Sequence, residues 1–217
     1  MDPRLAATVV VARPAEGGVE VLMLRRAEGS RFAPGFVVFP GGTTEPGDRA
    51  LADRLFGDPS EELRVCALRE LFEETGLLPT AAGLELRRHR PPVADLDFDP
   101  PPPERLREMA RWVAPDFLEV RFDAVFFALE APLGLEPVPD QVEVDRAWWA
   151  APREVLLASR SGEAPLMWPT LVTLERLAEA RSVADVLALR IEQIEPGRED
   201  REAGVRGKWR RPEWRPS

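Results

Sequence analysis

The sequence contains very little cysteine or histidine, the two residue types on which many metal and catalytic sites depend. Among its 217 residues there is one cysteine, Cys66, and one histidine, His89. A single cysteine excludes an internal disulfide bond and agrees with a reducing compartment. A zinc site or a histidine-based triad would have to be built around His89, whose basic neighbours at residues 87–90 indicate a solvated loop. We therefore discount both kinds of site.

Long apolar runs are also missing. No stretch approaches the roughly 18 apolar residues that are needed to cross a bilayer. Residues 1–13 lack the basic segment, the apolar segment and the cleavage site of a secretion signal. We therefore expect a cytoplasmic protein with no membrane partner.

Positive charge is in deficit, with 29 lysines and arginines against 38 aspartates and glutamates. The net charge of −9 argues against a protein that coats nucleic acid, because such binding depends on cations that meet phosphates. We expect no nucleic-acid partner. An anionic small molecule would need locally placed cations.

Length and composition are those of one folded domain. Hydrophobic residues make up 44% of the chain and charged residues 31%, which is ordinary for a globular protein. A chain of 217 residues supports one substantial core better than two. We predict one domain over residues 1–195, followed by a flexible, charged tail over residues 196–217.

Several short apolar runs predict the strands of a mixed sheet. They lie at residues 6–12, 19–24, 36–39, 122–129 and 142–149. The first two flank a Glu-Gly-Gly turn and form a predicted hairpin. The third is halted by the Pro-Gly-Gly sequence at residues 40–42, where we predict a special loop.

Helical spacing of apolar residues predicts the helices. The first opens at Asp58, a capping residue that is followed by proline, and closes at Gly76. Between residues 90 and 104 a proline-rich stretch predicts an extended surface loop. The remaining predicted helices lie at residues 104–113, 152–159, 170–180 and 183–194.

Three glutamates on the first predicted helix carry the strongest chemical signal. Glu70, Glu73 and Glu74 lie three and four residues apart, so a helix places their carboxylates side by side. Like charges at this spacing destabilise a helix by about 0.2–0.5 kcal/mol per pair. A hard divalent cation would offset this repulsion, because magnesium prefers oxygen ligands. The alternative is a solvated acidic face on which Arg69 pairs with Glu73.

Residues 69–77 (RELFEETGL), with the glycine pair upstream, resemble the Nudix box. Its second half has the form R-E-U-x-E-E-x-G-U, where U is a bulky apolar residue, and every specified position matches. Twenty residues, 49–68, separate Asp48 from Arg69, which is longer than the usual spacing, and aspartate stands where glutamate is commoner. The insertion must be looped out so that Gly42 can still approach Glu70.

The extended box and looser patterns around residues 24–26, 121–127 and 169–174 are similar to a Nudix branch that includes a peroxisomal coenzyme A diphosphatase. This resemblance covers about residues 5–192. It implies an α/β/α sandwich with a mixed central sheet, in a family whose members often form homodimers.

The implied activity is that of a metal-dependent diphosphatase. Coenzyme A or an acyl-CoA would yield 4′-phosphopantetheine or its acyl derivative together with adenosine 3′,5′-bisphosphate. Within the same enzyme class, ADP-ribose, NADH and nucleoside triphosphates are the competing substrates. In another class, the chain would be a non-catalytic Nudix module that binds a nucleotide or a protein.

The resemblance also implies roles for the box residues. Glu70 and Glu74 would be the principal ligands of Mg²⁺ or Mn²⁺, and Glu73 would be a further ligand. The carbonyl group of Gly42 would complete the oxygen shell, since no Cβ keeps it from a metal; the alternative for the glycine pair is a plain tight turn. Arg69 would orient the glutamates by ion pairing.

Several carboxylates compete for the role of general base. Glu73 lies in the box, whereas Asp140 and Glu143 lie in or after a later loop, from which some members of the family take the base. An acidic residue at the start of a strand is often merely solvated. Glu45 and Asp48 could pair with arginines or support the metal from outside, and we expect structural service from both.

Arginines just before the box are candidates for gripping phosphate. Arg25, Arg26 and Arg31 lie at a strand end and in the loop after it, and Phe32 is available for stacking. The alternative is that they are ordinary surface arginines. Trp168 could line the pocket, or it could belong to the core or to a lid.

Overall fold

The computed structural model describes residues 2–30, 32–116 and 120–194, and its central feature is a seven-stranded mixed sheet. The strands of this sheet and of a separate two-stranded hairpin are, in chain order, β1 (Arg4–Ala15), β2 (Gly18–Arg26), β3 (Val37–Val38), β4 (Gly41–Thr43), β5 (Leu77–Thr80), β6 (Gly83–Leu86), β7 (Arg107–Val113), β8 (Phe122–Glu130) and β9 (Val144–Ala150).

Strand β1 lies at the centre of the sheet. It pairs antiparallel with β2 and with β4, and parallel with β8. Strands β3 and β9 each pair antiparallel with β2, and β7 pairs antiparallel with β8. The separate hairpin consists of β5 and β6. The predicted mixed sheet is therefore confirmed.

Five α-helices cover the sheet in the described part of the chain. They are α1 (Asp48–Phe56), α2 (Glu62–Thr75), α3 (Pro152–Ser161), α4 (Trp168–Leu177) and α5 (Val183–Ala188). Short 3₁₀ turns occupy Pro59–Glu61, Val93–Asp95 and Pro103–Arg105. No helix among the described residues is long and apolar enough to pass through a bilayer.

Alternation along the strands divides the core between the two faces of the sheet. Val9 and Val11 of β1 pack in the cluster that holds Leu71 of α2. Val10, which points to the opposite face, packs with Leu174 of α4. Successive side chains of a strand point to opposite faces, so a strand covered on both sides is apolar throughout. Helices on both faces confirm the predicted α/β/α sandwich.

The prediction of a helix at residues 104–113 is wrong. This segment forms a 3₁₀ turn and then β7, and the register of β7 against β8 shifts between Glu108 and Ala110. Because of this bulge, Met109 and Ala110 are both buried, followed by Trp112. Buried residues at a spacing of three imitate a helical pattern, and a bulge in a strand produces the same spacing.

The insertion between the two halves of the box is more ordered than the predicted looped-out segment. It contains α1, which packs through Leu51 and Ala52 against Val65 and Phe72 of α2. The glycine pair also differs from the predicted special loop or tight turn, because it lies in β4 and pairs with β1.

Two of the late helices have different bounds from those predicted. α4 begins two residues earlier, at Trp168, and ends at Leu177, whereas α5 ends at Ala188. Beyond α5 the chain is extended, and the Ile191 amide donates to the Met109 carbonyl of β7 at 2.7 Å. The predicted domain boundary at residue 195 and the tail over residues 196–217 lie outside the described residues.

Candidate active site

Helix α2 carries the three box glutamates, follows a 3₁₀ turn and ends at a glycine. The Asp58 carboxylate accepts from the Ser60 amide at 2.8 Å and caps the 3₁₀ turn Pro59–Glu61, whereas α2 begins at Glu62, later than predicted, and has no side-chain cap. At the other end Gly76 adopts a φ of +72°, and its amide donates to the Phe72 carbonyl. Glycine tolerates this left-handed conformation, so the helix ends where the box ends.

Arg69 is the centre of a buried ion-pair network. Its guanidinium donates to both carboxylate oxygens of Asp48, at 3.0 and 3.3 Å, and to the Thr43 carbonyl at 3.0 Å. Its Nη1 donates to Glu70 at 2.9 Å and to Glu73 at 3.0 Å. One side chain thereby ties α2 to the start of α1 and to β4 while it orients two of the three glutamates.

The glycine pair lies directly against the carboxylates of α2. The Gly41 amide donates to Glu74 Oε2 at 3.0 Å. A Cβ atom at Gly42 would lie 2.3 Å from Glu70 Oε1, a distance that no real contact allows. Gly42 therefore approaches Glu70 as the sequence predicts, and only a residue without a side chain fits there.

Burial makes the box carboxylates expensive to ionise. The pKa of Glu70 is raised to about 7, mainly by burial, with smaller contributions from the charges of Glu73 and Glu143, while the Arg69 guanidinium opposes the shift. Glu74 is 3% exposed, and burial, reinforced by the charge of Glu70, holds its pKa well above the usual range. Burial also raises the pKa of Glu73. Each of these carboxylates therefore needs a nearby positive charge to stabilise its ionised form.

A hard divalent cation is the ligand that fits this donor set. Within the described ranges, no group of three or more His, Cys, Asp or Glu side chains is gathered into a ready-made cage. Arg69 holds Glu70 and Glu73, while the Gly41 amide holds Glu74. All the donors are nonetheless oxygen atoms, Glu74 is buried, Glu70 is partly buried, and the pKa values of both are raised. This combination suits magnesium or manganese.

Glu143 adds a fourth carboxylate from a different part of the chain. Its negative charge is close enough to contribute to the raised pKa values of Glu70 and Glu74, after burial. Its backbone carbonyl accepts from the Ala27 amide at 2.8 Å. Its neighbour Asp140 has a different use, because the Asp140 carboxylate accepts from the backbone amides of residues 142–144. Of the two later candidates, Glu143 is the one whose charge contributes to the raised pKa values of Glu70 and Glu74, after burial.

A sequence profile of the NUDIX domain matches residues 2–168. The chain belongs to the NUDIX domain family. A crystal structure of a NUDIX hydrolase from Alicyclobacillus acidocaldarius is 34% identical, with a TM-score of 0.74 over 88% of this chain and 98% of that one. The NUDIX domain of Shewanella oneidensis NrtR, crystallised with ADP ribose, is 16% identical over 82% of this chain and 88% of that one, with a TM-score of 0.53, and shares the fold.

A relative with a longer chain is found in Caenorhabditis elegans. This protein, which carries the name nudix hydrolase 7, is 29% identical over 193 residues, or 82% of the present chain and 61% of its own. The present chain thus spans about three fifths of that relative. The names of the nematode and Alicyclobacillus proteins support the prediction that this Nudix chain is an enzyme.

The candidate phosphate-binding arginines divide between the two faces of the sheet. Arg26 follows Leu22 and Leu24, which are buried on the α2 side of β2, and its Nε donates to the Phe32 carbonyl at 2.8 Å. Its positive charge opposes the raised pKa of Glu74, for which burial is the main cause. Arg25 points the other way and forms an exposed ion pair with Asp145 at 2.8 Å. The structure therefore brings Arg26, but not Arg25, to the Nudix box. Arg31 lies outside the described residues.

The aromatic candidates have partners in the protein. Phe32 is 40% exposed, but its ring packs edge-to-face on Phe122 with centroids 5.2 Å apart. Trp168 is buried in the cluster between the sheet and α4, and its indole donates to the Ile194 carbonyl. The core alternative for Trp168 is the one observed.

Asp48 and Glu45 serve the structure, as predicted. Asp48 is 2% exposed and accepts both from Arg69 and from the Glu45 amide. Glu45 is exposed and lies 3.9 Å from Arg69. Arg90, at the start of the predicted surface loop, was not among the predicted site residues. Arg90 donates to the Glu73 carbonyl at 2.8 Å, and no pattern in the sequence links residues 17 positions apart in this way.

We predict that Gly42→Ala weakens Mn²⁺ binding. The added methyl group would overlap Glu70 Oε1, so Glu70 must move, and loss of support for a metal ligand typically lowers affinity by about 10–100-fold. Gly47→Ala is the matched control, because Gly47 has a φ of −78° and no atom within 4 Å of the added Cβ. Titration calorimetry with Mn²⁺ measures both variants. Equal affinities would show that the contact at Gly42 does not constrain Glu70.

Proposed function

We propose that this Nudix chain hydrolyses a diphosphate linkage in a nucleoside diphosphate derivative, with Mg²⁺ or Mn²⁺ held by Glu70, Glu74 and Glu73. The observation that carries the proposal is the buried carboxylate of Glu74 together with the partly buried carboxylate of Glu70, whose raised pKa values call for a cation. The approach of Gly42 to Glu70 supports it, since its carbonyl oxygen could complete the oxygen shell.

The chemistry divides between the cations and the protein. When bound, a divalent cation neutralises the diphosphate and lowers the pKa of water, so that a nucleophile is available near neutral pH. Arg69 holds Glu70 and Glu73 in fixed positions through its Nη1. Arg26 supplies positive charge near Glu74, where a phosphate of the substrate would meet it.

Glu143 is our choice of general base. Its negative charge contributes to the raised pKa values of Glu70 and Glu74, after burial, and its carboxylate has no hydrogen-bond or ion-pair partner in the described part of the chain. It can accept the proton that the attacking water loses as the water oxygen bonds to one phosphorus and the bridging P–O bond breaks, which releases the other phosphate as the leaving group. Glu73 is the rival base, but its carboxylate already accepts from Arg69.

Coenzyme A and its acyl esters are our leading substrates, on the strength of the extended box. ADP-ribose is the first rival, because a NUDIX domain of the same fold was crystallised with it. NADH and nucleoside triphosphates complete the set. The diphosphates of all these substrates would present the same chemistry to the box. Protein residues outside the box must therefore discriminate between the substrates.

The decisive experiment is a substrate panel with the full chain. Coenzyme A, acetyl-CoA, ADP-ribose, NADH and a nucleoside triphosphate are incubated with Mg²⁺ or Mn²⁺, and products are identified by mass spectrometry. Hydrolysis in H₂¹⁸O shows which phosphorus is attacked. We expect cleavage of coenzyme A to adenosine 3′,5′-bisphosphate. Binding of nucleotides with no metal-dependent turnover of any substrate in the panel would favour the non-catalytic module.

We predict that Glu143→Gln lowers kcat by about 10²–10⁴-fold, the usual contribution of a general base. It should also remove the acidic limb of the pH–rate profile, while Mn²⁺ affinity stays nearly unchanged. Glu136→Gln is the control, because this exposed carboxylate pairs with Arg13. A larger loss in Glu73→Gln, with the acidic limb intact in Glu143→Gln, would transfer the role to Glu73.

A further inference from the structure

The carboxyl end of α2 is joined to the loop at residues 131–143, which delivers Glu143. The Val138 amide donates to the Thr75 carbonyl at 2.8 Å, and the Asp140 amide donates to the Glu74 carbonyl at 3.2 Å. The last carbonyls of a helix have no partner within the helix. The loop supplies hydrogen-bond partners for two of these carbonyls, so the loop is held directly against the box residues at the end of α2.

Arg90 fastens the same junction from a third segment of the chain. Its Nη1 donates to the Glu73 carbonyl at 2.8 Å, and its Nη2 donates to the Val138 carbonyl. One guanidinium thus bridges the end of the metal-binding helix and the loop. Arginine suits this position because its planar group offers several donors in a fixed geometry, which lysine cannot reproduce.

Gly76 leaves room for this bridge. A Cβ atom at Gly76 would lie 3.2 Å from Arg90 Nε and 3.3 Å from Nη2, and 2.9 Å from the Arg87 carbonyl. The guanidinium therefore packs on bare backbone at the helix end. Gly76 thus has two roles. It ends α2, and its lack of a side chain leaves space for the Arg90 guanidinium.

A short chain of contacts leads from Arg90 to Glu143. Arg90 holds the Val138 carbonyl, and two residues later Asp140 accepts from the Glu143 amide at 3.1 Å and from the Val144 amide at 2.9 Å. The Glu143 backbone is thus fixed by a turn that rests on the end of α2. Displacement of Val138 would move the Glu143 carboxylate relative to Glu70 and Glu74.

We propose that Arg90 is a positioning residue, which sets the place of the Glu143 carboxylate by clamping the 131–143 loop to the end of α2. The inference rests on the proposed function, because it assigns Glu143 the task of accepting a proton. It adds a residue outside the Nudix box to the machinery of the site. Arg90 itself does not touch the reacting atoms.

The kinetic test compares Arg90→Ala with Arg88→Ala, an exposed arginine two residues away. Misplacement of a reacting group by about 1 Å can lower the rate about 10²-fold, so we expect kcat of Arg90→Ala to fall about 10–100-fold. KM and Mn²⁺ affinity should change little, and Arg88→Ala should match the parent. A parallel fall in Mn²⁺ affinity would overturn the proposal, because Arg90 would then act on the metal-binding helix.

A double-mutant cycle distinguishes action through Glu143 from general damage. If Arg90 works by placing Glu143, then Arg90→Ala costs nothing further in a Glu143→Gln background, and the two losses are non-additive. Additive losses would overturn the proposal. If Arg90→Ala does not fold, Arg90→Lys takes its place, with the charge retained but the fork lost, and the same cycle applies.

Hydrogen exchange tests the clamp without any substrate. The amides of Val138 and Asp140 should exchange faster in Arg90→Ala than in the parent and in Arg88→Ala. Unchanged exchange would overturn the clamp. Absence of turnover by the parent on every substrate would instead remove the proposed function, so the two failures can be told apart.

Discussion

Glu74→Gln is expected to remove nearly all turnover and to leave the metal-free protein at least as stable as the parent. Charge stabilisation by a bound metal is worth several kcal/mol, and each 1.36 kcal/mol is tenfold in rate, so we expect kcat to fall by about 10³-fold or more. Glu70→Gln should behave similarly. The two changes keep the shape of the side chains and remove only the charge.

Stability follows from the burial of these carboxylates. Glu74 is 3% exposed and accepts from one amide, that of Gly41. Glutamine retains an oxygen for this bond, and its amide nitrogen faces the negative charge of Glu70, which reinforces the raised pKa that burial gives Glu74. The neutral side chain therefore avoids the cost of an uncompensated charge without leaving the Gly41 amide unpaired.

The stability difference should depend on pH. The folded protein holds the pKa of Glu70 at about 7, mainly through burial, above the ordinary value of 4.5. A group with a raised folded pKa contributes stability below its unfolded pKa and loses it as pH rises through the folded value. Glu70→Gln does not undergo this loss. The difference in the free energy of unfolding between Glu70→Gln and the parent should therefore be larger at pH 8 than at pH 5.5.

Denaturation in the presence of EDTA measures the metal-free stability, and added Mn²⁺ provides the second reading. We expect Mn²⁺ to raise the Tm of the parent but not of Glu74→Gln. Glu62→Gln is the control on the same helix, because an acid in the first turn interacts favourably with the helix dipole. It should lose a little stability and keep full turnover. Unfolding of both box variants would contradict our account.

Local spacing was sufficient to predict the centre of the site. Glu70, Glu73 and Glu74 lie on one helix, and residues three and four apart on a helix are neighbours in any fold. The glycine pair upstream has to meet the helix without a side chain, and the structure places Gly42 against Glu70. These features follow from short stretches of sequence.

The choice between faces of a strand could not be predicted from the sequence. In β2, Leu22 and Leu24 are buried on the α2 side, and Met23 is buried on the other side. Because both faces of β2 are apolar, polar and apolar residues do not alternate along the strand. The sequence therefore does not indicate which of Arg25 and Arg26 lies on the side of the box. The bulge in β7 and the long-range contacts of Arg90 could not be predicted for a similar reason. Tertiary pairing determines both features, and no local sequence pattern does.

Arg69→Met is expected to cause the largest loss of stability among these variants. Arg69 is 6% exposed and pairs with Asp48, which is 2% exposed. Removal of one partner of a buried ion pair typically costs about 3–5 kcal/mol, because the other charge stays buried and unpaired. At roughly 2–4 °C per kcal/mol for a chain of this size, the Tm should fall by about 10 °C.

An exposed ion pair provides the control for this loss. Arg25 and Asp145 form a bidentate pair with bonds of 2.8 and 3.2 Å, and both side chains are open to solvent, at 46% and 31% exposure. Exposed pairs contribute about 0–1 kcal/mol, so Arg25→Met should change the Tm by only a few degrees. Equal losses in the two variants would mean that burial of the Arg69 pair has no energetic consequence.

The cause of the loss can be isolated by removing the second charge. In the double variant Asp48→Asn with Arg69→Met, no buried carboxylate is left unpaired at residue 48, so part of the lost stability should return. Turnover should not return with it, because Glu70 and Glu73 both lose the guanidinium that orients them. Recovery of stability without recovery of kcat would separate two tasks of Arg69, which are to join α1 to α2 through Asp48 and to hold the carboxylates of Glu70 and Glu73 in place. Recovery of both would show that the orientation of Glu70 and Glu73 does not depend on Arg69.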